Sequence, residues 1–162
     1  MIPLPDPPLS DGVVRLRPWT SSQADVDALV AAWSDPEIRA WTAVPEEPTV
    51  EQAARWIAGE GVRRERGLAL DLVVSPAEPA DDATVLGEVG LVPLAGGPSR
   101  FEAGWWVAAP HRRQGIATRA MRLVASWTAD VLEVELFATV DADNPASIWV
   151  AEAAGIRLRL KG

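Results

Sequence analysis

Residues 101–120 read FEAGWWVAAPHRRQGIATRA. The first half has the aromatic and apolar residues of a strand, and the second runs into a helical pattern. At the joint stand Arg112, Arg113, Gln114 and a lone glycine, Gly115. A helix start leaves its first backbone N–H groups unpaired and carries about half a positive charge. With no side chain at Gly115 and only a methyl at Ala117, an anion can come close to those groups. Neither GxxxxGK nor GxGxxG occurs in the chain, so the joint matches no common phosphate motif. By themselves these residues leave two readings open: a phosphate cradle, or an ordinary helix start with surface arginines.

Working upstream, LALDLVVS (68–75), TVLGEVGLVPL (84–94) and FEAGWWVA (101–108) read as strands. They are separated by the turn-rich PAEPADDA (76–83) and AGGPSR (95–100). Such spacing predicts an antiparallel meander. Downstream, a helix is predicted over Arg113–Ala129, with Ile116, Ala120, Val124 and Trp127 on one face. EVELFATV (133–140) reads as a strand. DADNPAS (141–147) opens a last helix with Asn144 as cap and Pro145 at its first position, Gly155 ends it, and IRLRL (156–160) is a short strand.

Before the meander, GVVRLRP (12–18) alternates as a strand. Thr20, Ser21 or Ser22 can cap a helix carrying Val26, Leu29, Val30 and Trp33, and a shorter helix follows around Pro36–Trp41. Thr49 and Gln52 form a capping-box signature for a helix running to about Arg64. Residues 1–11 are expected to be a loose arm, since four of the first eight are prolines. The fold class is therefore mixed α/β (α+β type), in one domain over residues 12–162.

Composition narrows the function. The chain has 162 residues, enough for one well-packed core. No apolar stretch approaches a membrane span, and the start lacks the pattern of a secretion signal, so a cytoplasmic protein is expected. The lack of cysteine excludes disulfides, thiolate metal sites and a cysteine nucleophile; no metal is expected. Net charge is −8, with 14 acids against 7 basic residues in 1–81 and 9 against 8 in 82–162. That balance argues against nucleic acid and is compatible with a cationic partner. Most of the eight tryptophans read as core; Trp41 and Trp105 are the least core-like. His111, the only histidine, reads as a turn residue.

RRQGIA (112–117), placed between an antiparallel strand and a helix, resembles the acetyl-coenzyme A loop of the GNAT N-acetyltransferases. RLRPWTSSQADVDAL (15–29), EAGWWVAAPHRRQGIATRA (102–120) and DADNPASIWVAEAAGI (141–156) are similar, in order, to segments of the RimJ/RimL-like branch, which contains ribosomal-protein N-terminal acetyltransferases. The resemblance covers roughly residues 12–160.

What it implies is specific. The fourth strand would splay from its parallel neighbour, and the pantetheine arm would lie in the gap against Trp106 and Val107. The Val107 N–H would serve as oxyanion donor. Arg112, Arg113, Gln114, Gly115, Ile116, Ala117 and Thr118 would hold the pyrophosphate, mainly by main chain. Asn144 and Ser147 would face the arm and the sulfur; a pure capping role for Asn144 is the alternative, and it can serve both.

The implied chemistry is direct attack of a neutral primary amine on acetyl-CoA, in a ternary complex. Deprotonating an α-amino group at pH 7 costs roughly 1 kcal/mol and a lysine roughly 4.6 kcal/mol, so a base is useful. Glu102 is the first candidate and Glu88 the second, with water as a further route. Many relatives protonate the leaving thiolate with a tyrosine; this chain has none, leaving Ser147, water or nothing. Relatives have Phe where Ile156 stands, and they continue into another strand beyond RLRLKG. The implied alternatives are a trimmed chain, an open acceptor site, or a homodimer whose second subunit completes the sheet. The alternatives to an N-acetyltransferase are an acyl-CoA-binding protein with little turnover, or a transferase for another acyl group such as succinyl.

Overall fold

The computed structural model describes residues 1–78, 80, 82–96 and 99–162. The turns expected over PAEPADDA and AGGPSR include positions 79, 81, 97 and 98, which lie outside the described residues. The element order is β1 (Val14–Pro18), α1 (Gln23–Ser34), α2 (Pro36–Trp41), α3 (Val50–Ala58), α4 (Glu60–Glu65), β2 (Leu70–Pro76), β3 (Gly87–Pro93), β4 (Arg100–Val107), α5 (Ile116–Asp130), β5 (Glu135–Asp141), α6 (Pro145–Ala153) and β6 (Arg157–Lys161).

One six-stranded sheet runs β1-β2-β3-β4-β5-β6. The β2–β3 and β3–β4 pairings are antiparallel, as the meander predicts; β1 also pairs antiparallel with β2, and β4–β5 and β5–β6 are parallel. Alternation along β2 explains the two-sided core. Leu70, Leu72 and Val74 join the cluster beneath α5, with Met121, Val124 and Trp127. Val73 faces the opposite way, into the cluster of Trp19, Leu29, Trp33 and Ile57 under α1 and α3. A strand buried on both faces reads as a continuous apolar run, which is why LALDLVVS shows no polar alternation.

Local signals set the helix starts. Ser22 accepts from the Asp25 N–H, and Asp35 accepts from the N–H groups of Glu37 and Ile38. The Thr49–Gln52 capping box is formed in both directions. Asn144 caps α6 by accepting from the Ser147 N–H.

Three expectations need correction. Residues 1–11 are tied down rather than loose: Ile2 is buried, Leu4 and Leu9 pack on the same core, and Ile2 N–H bonds the Arg64 carbonyl at 3.0 Å. Despite the prolines, the apolar side chains of this segment reach the core. The helix expected to run to Arg64 breaks at Gly59, which caps α3 before α4 begins. The helix expected from Arg113 starts at Ile116, because Arg113 and Gly115 both take left-handed backbone, with φ of 61° and 75°.

Candidate functional site

The site forms where β4 and β5 part. Their parallel pairing stops at Glu102↔Phe137, while β4 runs on to Val107. The β3–β4 ladder includes Leu94 N–H to Arg100 C=O and Ala108 N–H to Leu86 C=O, both at 2.9 Å. In an antiparallel pair successive residues turn their main-chain groups to opposite sides. Trp105 and Val107 therefore point theirs away from β3, into the gap that β5 has left. The Val107 carbonyl is taken by Arg112 Nε at 3.1 Å. Close approach of β3 fixes this stretch: a Cβ on Gly87 would stand 2.3 Å from the Trp106 carbonyl oxygen.

At the end of the gap stands the N-terminus of α5. Whereas α1, α2, α3 and α6 each begin with a side chain accepting a first-turn N–H, α5 begins at Gly115 with none. A Cβ on Gly115 would meet nothing within 4 Å. The open helix start and the two left-handed residues before it make a concavity of N–H groups suited to an anion.

A cavity of about 700 Å³ joins these features. It brings together most of the expected residues: Trp106 and Val107 from β4, Arg112, Arg113 and Gly115 from the loop, Ile116, Ala117 and Thr118 from α5, and Asn144 and Ser147 from α6. Gln114 faces instead a neighbouring groove of about 480 Å³, shared with Arg119 and Arg122, and donates to the Pro110 carbonyl at 3.4 Å. Glu102 is not brought in: it lies at the closed end of β4, among the last residues still paired with β5. His111 sits in a 3-10 turn, as a turn residue should, and also lines the cavity.

One wall carries residues that the sequence did not single out, beside Trp41, which it read as among the least core-like tryptophans. Glu37, Ile38, Trp41 and Thr42 line it from α2, with Trp41 45% exposed. Trp149 of α6, taken as core from the sequence, lines it too and is 61% exposed. Arg112 joins this wall to the loop: Nη2 lies 3.1 Å from Asp35 Oδ1 and Nη1 lies 2.8 Å from Glu37 Oε2. Burial by itself would raise Asp35, but the Arg112 hydrogen bond and the Ile38 and Glu37 N–H groups outweigh it, holding the carboxyl below its ordinary value. Glu37 is largely exposed, so its pair contributes little. Arg112 is thus engaged by protein carboxylates, while Arg113 makes no ion pair among the described residues.

Behind Trp106 lies Glu88, its cross-strand partner on β3. Trp19 Nε1 donates to Glu88 Oε2 at 2.9 Å, and Trp106 Nε1 donates to Oε1 at 3.3 Å. Burial, with the nearby Asp71 charge, pushes the Glu88 carboxyl up to about 8 against the two indole bonds. Among the described residues, no cluster of three or more His, Asp or Glu is placed to hold a metal. Nor is any described helix long and apolar enough to cross a membrane.

Three comparisons bear on this geometry. The family model for the acetyltransferase (GNAT) domain matches residues 14–157. No curated protein matches the sequence. Among solved structures, a GNAT-family acetyltransferase from Bacillus anthracis superposes with a TM-score of 0.75 at 17% identity, over 93% of this chain and 83% of that one. RimJ from Mycobacterium smegmatis, in complex with CoA-disulfide, gives 0.73 at 21% identity, over 90% and 71%. RimL, a ribosomal L7/L12 alpha-N-protein acetyltransferase in complex with coenzyme A, gives 0.74 at 16% identity, over 91% and 81%. At these identities the likeness concerns the fold.

Proposed function

The chain belongs to the GNAT acetyltransferase family, and we propose that it carries an acetyl group from acetyl-CoA to a primary amine by direct attack. The observation that carries this reading is the edge of β4 that β5 leaves beyond Glu102, with the Trp105 main-chain groups and the Val107 N–H leading to the uncapped start of α5. An extended amide-bearing arm can add to such an edge like a strand, and its pyrophosphate can end on N–H groups that no side chain occupies.

In this reading the residues divide the work. Main-chain N–H groups from Gly115 to Thr118 hold the pyrophosphate, with Arg113 as the available cation, and Arg112 positions the loop. The Val107 N–H receives the charge that develops on the carbonyl oxygen. Trp106, Asn144 and Ser147 border the space beside it. Neither Glu102 nor Glu88 lines the cavity, and of the routes weighed for the ammonium proton this reading takes water, before attack. For an acceptor with the pKa of an α-amino group this costs only roughly 1 kcal/mol at pH 7, which favours peptide N-termini and other amines of low pKa over lysine. The acidic Glu37 on the α2 wall suits a cationic acceptor.

Purified protein assayed for thiol release from acetyl-CoA with a panel of neutral and cationic amines, alongside calorimetry with CoA, tests the reading. Amine-dependent release supports it. Tight CoA binding without release across the panel would replace it with an acyl-CoA-binding role, and no CoA binding would remove the donor.

Ser147→Ala makes a narrower test. Its backbone N–H, which Asn144 caps at 3.1 Å, is unaffected by the change. A thiolate with a pKa near 8.5 leaves tolerably unaided, so kcat is expected to fall by about tenfold at most. Steady-state kinetics checks this; a loss of about 10²–10⁴ would identify Ser147 as a general acid. Asn144→Ala is expected to cost about 1 kcal/mol through the lost cap, read by thermal melting.

A further inference from the structure

We propose that Glu88 is a positioning residue whose ionised carboxylate, through two indole hydrogen bonds, holds the Trp106 wall of the cavity in its working arrangement. The inference deepens the acetyltransferase reading and rests on it for its effect on turnover.

Glu88 itself does not line the cavity; Trp106 does. A carboxylate can accept on both oxygens, and here each takes one indole N–H, from Trp19 and from Trp106. An indole N–H only donates. When the carboxyl is protonated, the oxygen that carries the hydrogen loses its charge and one lone pair and becomes a much weaker acceptor, so one of the two charge-assisted indole bonds is weakened. The Trp106 bond, the longer of the two at 3.3 Å, is the one that yields, and Trp106 then relies chiefly on packing, including its tilted contact with Trp19 at 6.4 Å between ring centroids. The next residue along β4 is Val107, whose N–H faces the gap, so the state of this clamp reaches the point where the carbonyl oxygen is received.

The surroundings keep Glu88 from being an inert anchor. From β2, Asp71 faces it as a like charge, itself raised by burial despite Arg63 of α4, whose Nη2 lies 3.5 Å away. Glu60 of α4 adds a second negative charge near Asp71. Arg63 is shared between Asp71 and the face of Trp56, at 4.3 Å from the ring centroid. On β1, Arg17 is consumed by Asp25 of α1 in a two-bond ion pair. Thus, among the described residues, only the partly engaged Arg63 offsets the carboxyls here, and the Glu88 carboxyl, pushed up to about 8, changes state in the range where amines lose their protons. Its folded-state value lies above its ordinary one of 4.5, so ionisation costs stability: the contribution of Glu88 is fully present below about 4.5 and is lost as pH rises through about 8. A side chain that weakens the fold in the form that aligns the wall is what a site-positioning group looks like.

Glu88→Gln mimics the protonated form, with an amide N–H₂ facing an indole donor. Wild type and Glu88→Gln are compared from about pH 6 to about pH 10, bracketing amine and carboxyl titration. Near-ultraviolet circular dichroism of the ligand-free proteins is expected to show a tryptophan transition near pH 8 in the wild type only. With acetyl-CoA and a free-N-terminus tripeptide, the ratio of wild-type to variant kcat/KM cancels acceptor ionisation. That ratio is expected to rise about three- to tenfold through the same pH, a fraction of the worth of a hydrogen bond to a charged group. The variant is expected to melt at a higher temperature than the wild type above pH 8, so misfolding does not mimic the result. A flat ratio, or the same dichroism transition in both proteins, would overturn the proposal. The dichroism needs no substrate: a wild type that acetylates no amine refutes the acetyltransferase reading, while the indole transition still decides whether Glu88 holds Trp106.

Discussion

Gly115→Leu is expected to raise the dissociation constant of CoA about 100-fold, or about 2.7 kcal/mol, while costing the fold about 1–2 kcal/mol. The two effects have different origins. Gly115 holds a φ of 75°, so any L side chain there is strained, but a Cβ would meet no protein atom within 4 Å. The new side chain instead occupies the space in front of the first N–H groups of α5. Gly115→Ala separates the causes, because it carries the backbone strain with a single methyl. Calorimetry with CoA and thermal melting are expected to show affinity falling from Gly to Ala to Leu at similar melting temperatures for Ala and Leu. Equal affinity losses for Ala and Leu would trace the effect to the backbone, and unchanged affinity in Gly115→Leu would remove the loop from the donor site.

Arg112→Ala is expected to lower kcat/KM by about 100-fold, since it releases two sides of the cavity together. The guanidinium spans Asp35, Glu37 and the Val107 carbonyl, so its loss frees the α2 wall and the end of β4. Leaving the half-buried Asp35 without its cation costs about 1–3 kcal/mol of stability. Lysine is a poor replacement, because one ammonium cannot serve three acceptors on two sides; Arg112→Lys is expected to recover only part of the loss. The pH dependence gives an internal check. Asp35 is held below its ordinary 3.8, so its contribution is present above that value and lost as pH falls through the lower folded-state one. Denaturant melts are therefore expected to separate wild type from Arg112→Ala strongly at pH 7 and much less at about pH 3.

The order of elements was legible because each carries its own period: Val14 and Leu16 alternate, Ile116, Ala120 and Val124 recur helically, and Thr49 with Gln52 announces its cap within four residues. The α5 loop was legible for the same reason, since Gly115 and its neighbours act through local backbone. Partners distant in sequence were not. Nothing around Arg112 announces Asp35 and Glu37, so its charge looked available for phosphate. Glu102 and Glu88 lie on the same sheet face, and alternation cannot tell which stands near the parting of β4 and β5; only the register, with pairing ending at Glu102↔Phe137, does that. Trp149 was misread because α6 is short and apolar on several sides, leaving no periodic signal for the face turned to the cavity. In residues 1–11 the prolines dominated the reading, while Ile2, Leu4 and Leu9 recorded the contacts that tie the segment down.

The engagement of Arg112 by two carboxylates also bears on how quickly a donor arrives. Counting arginines along the loop suggests an attractive mouth that draws a polyphosphate in from a distance. With Arg112 neutralised and the whole chain at −8, the long-range field opposes an anion, and attraction begins only within the last few ångströms, at Arg113 and the helix start. Raising ionic strength shortens the Debye length from about 30 Å at 0.01 M to about 10 Å at 0.1 M, which hides the distant repulsion before it touches the short-range contacts. Stopped-flow association of CoA is therefore expected to accelerate with salt over that range, the opposite of an electrostatically steered encounter.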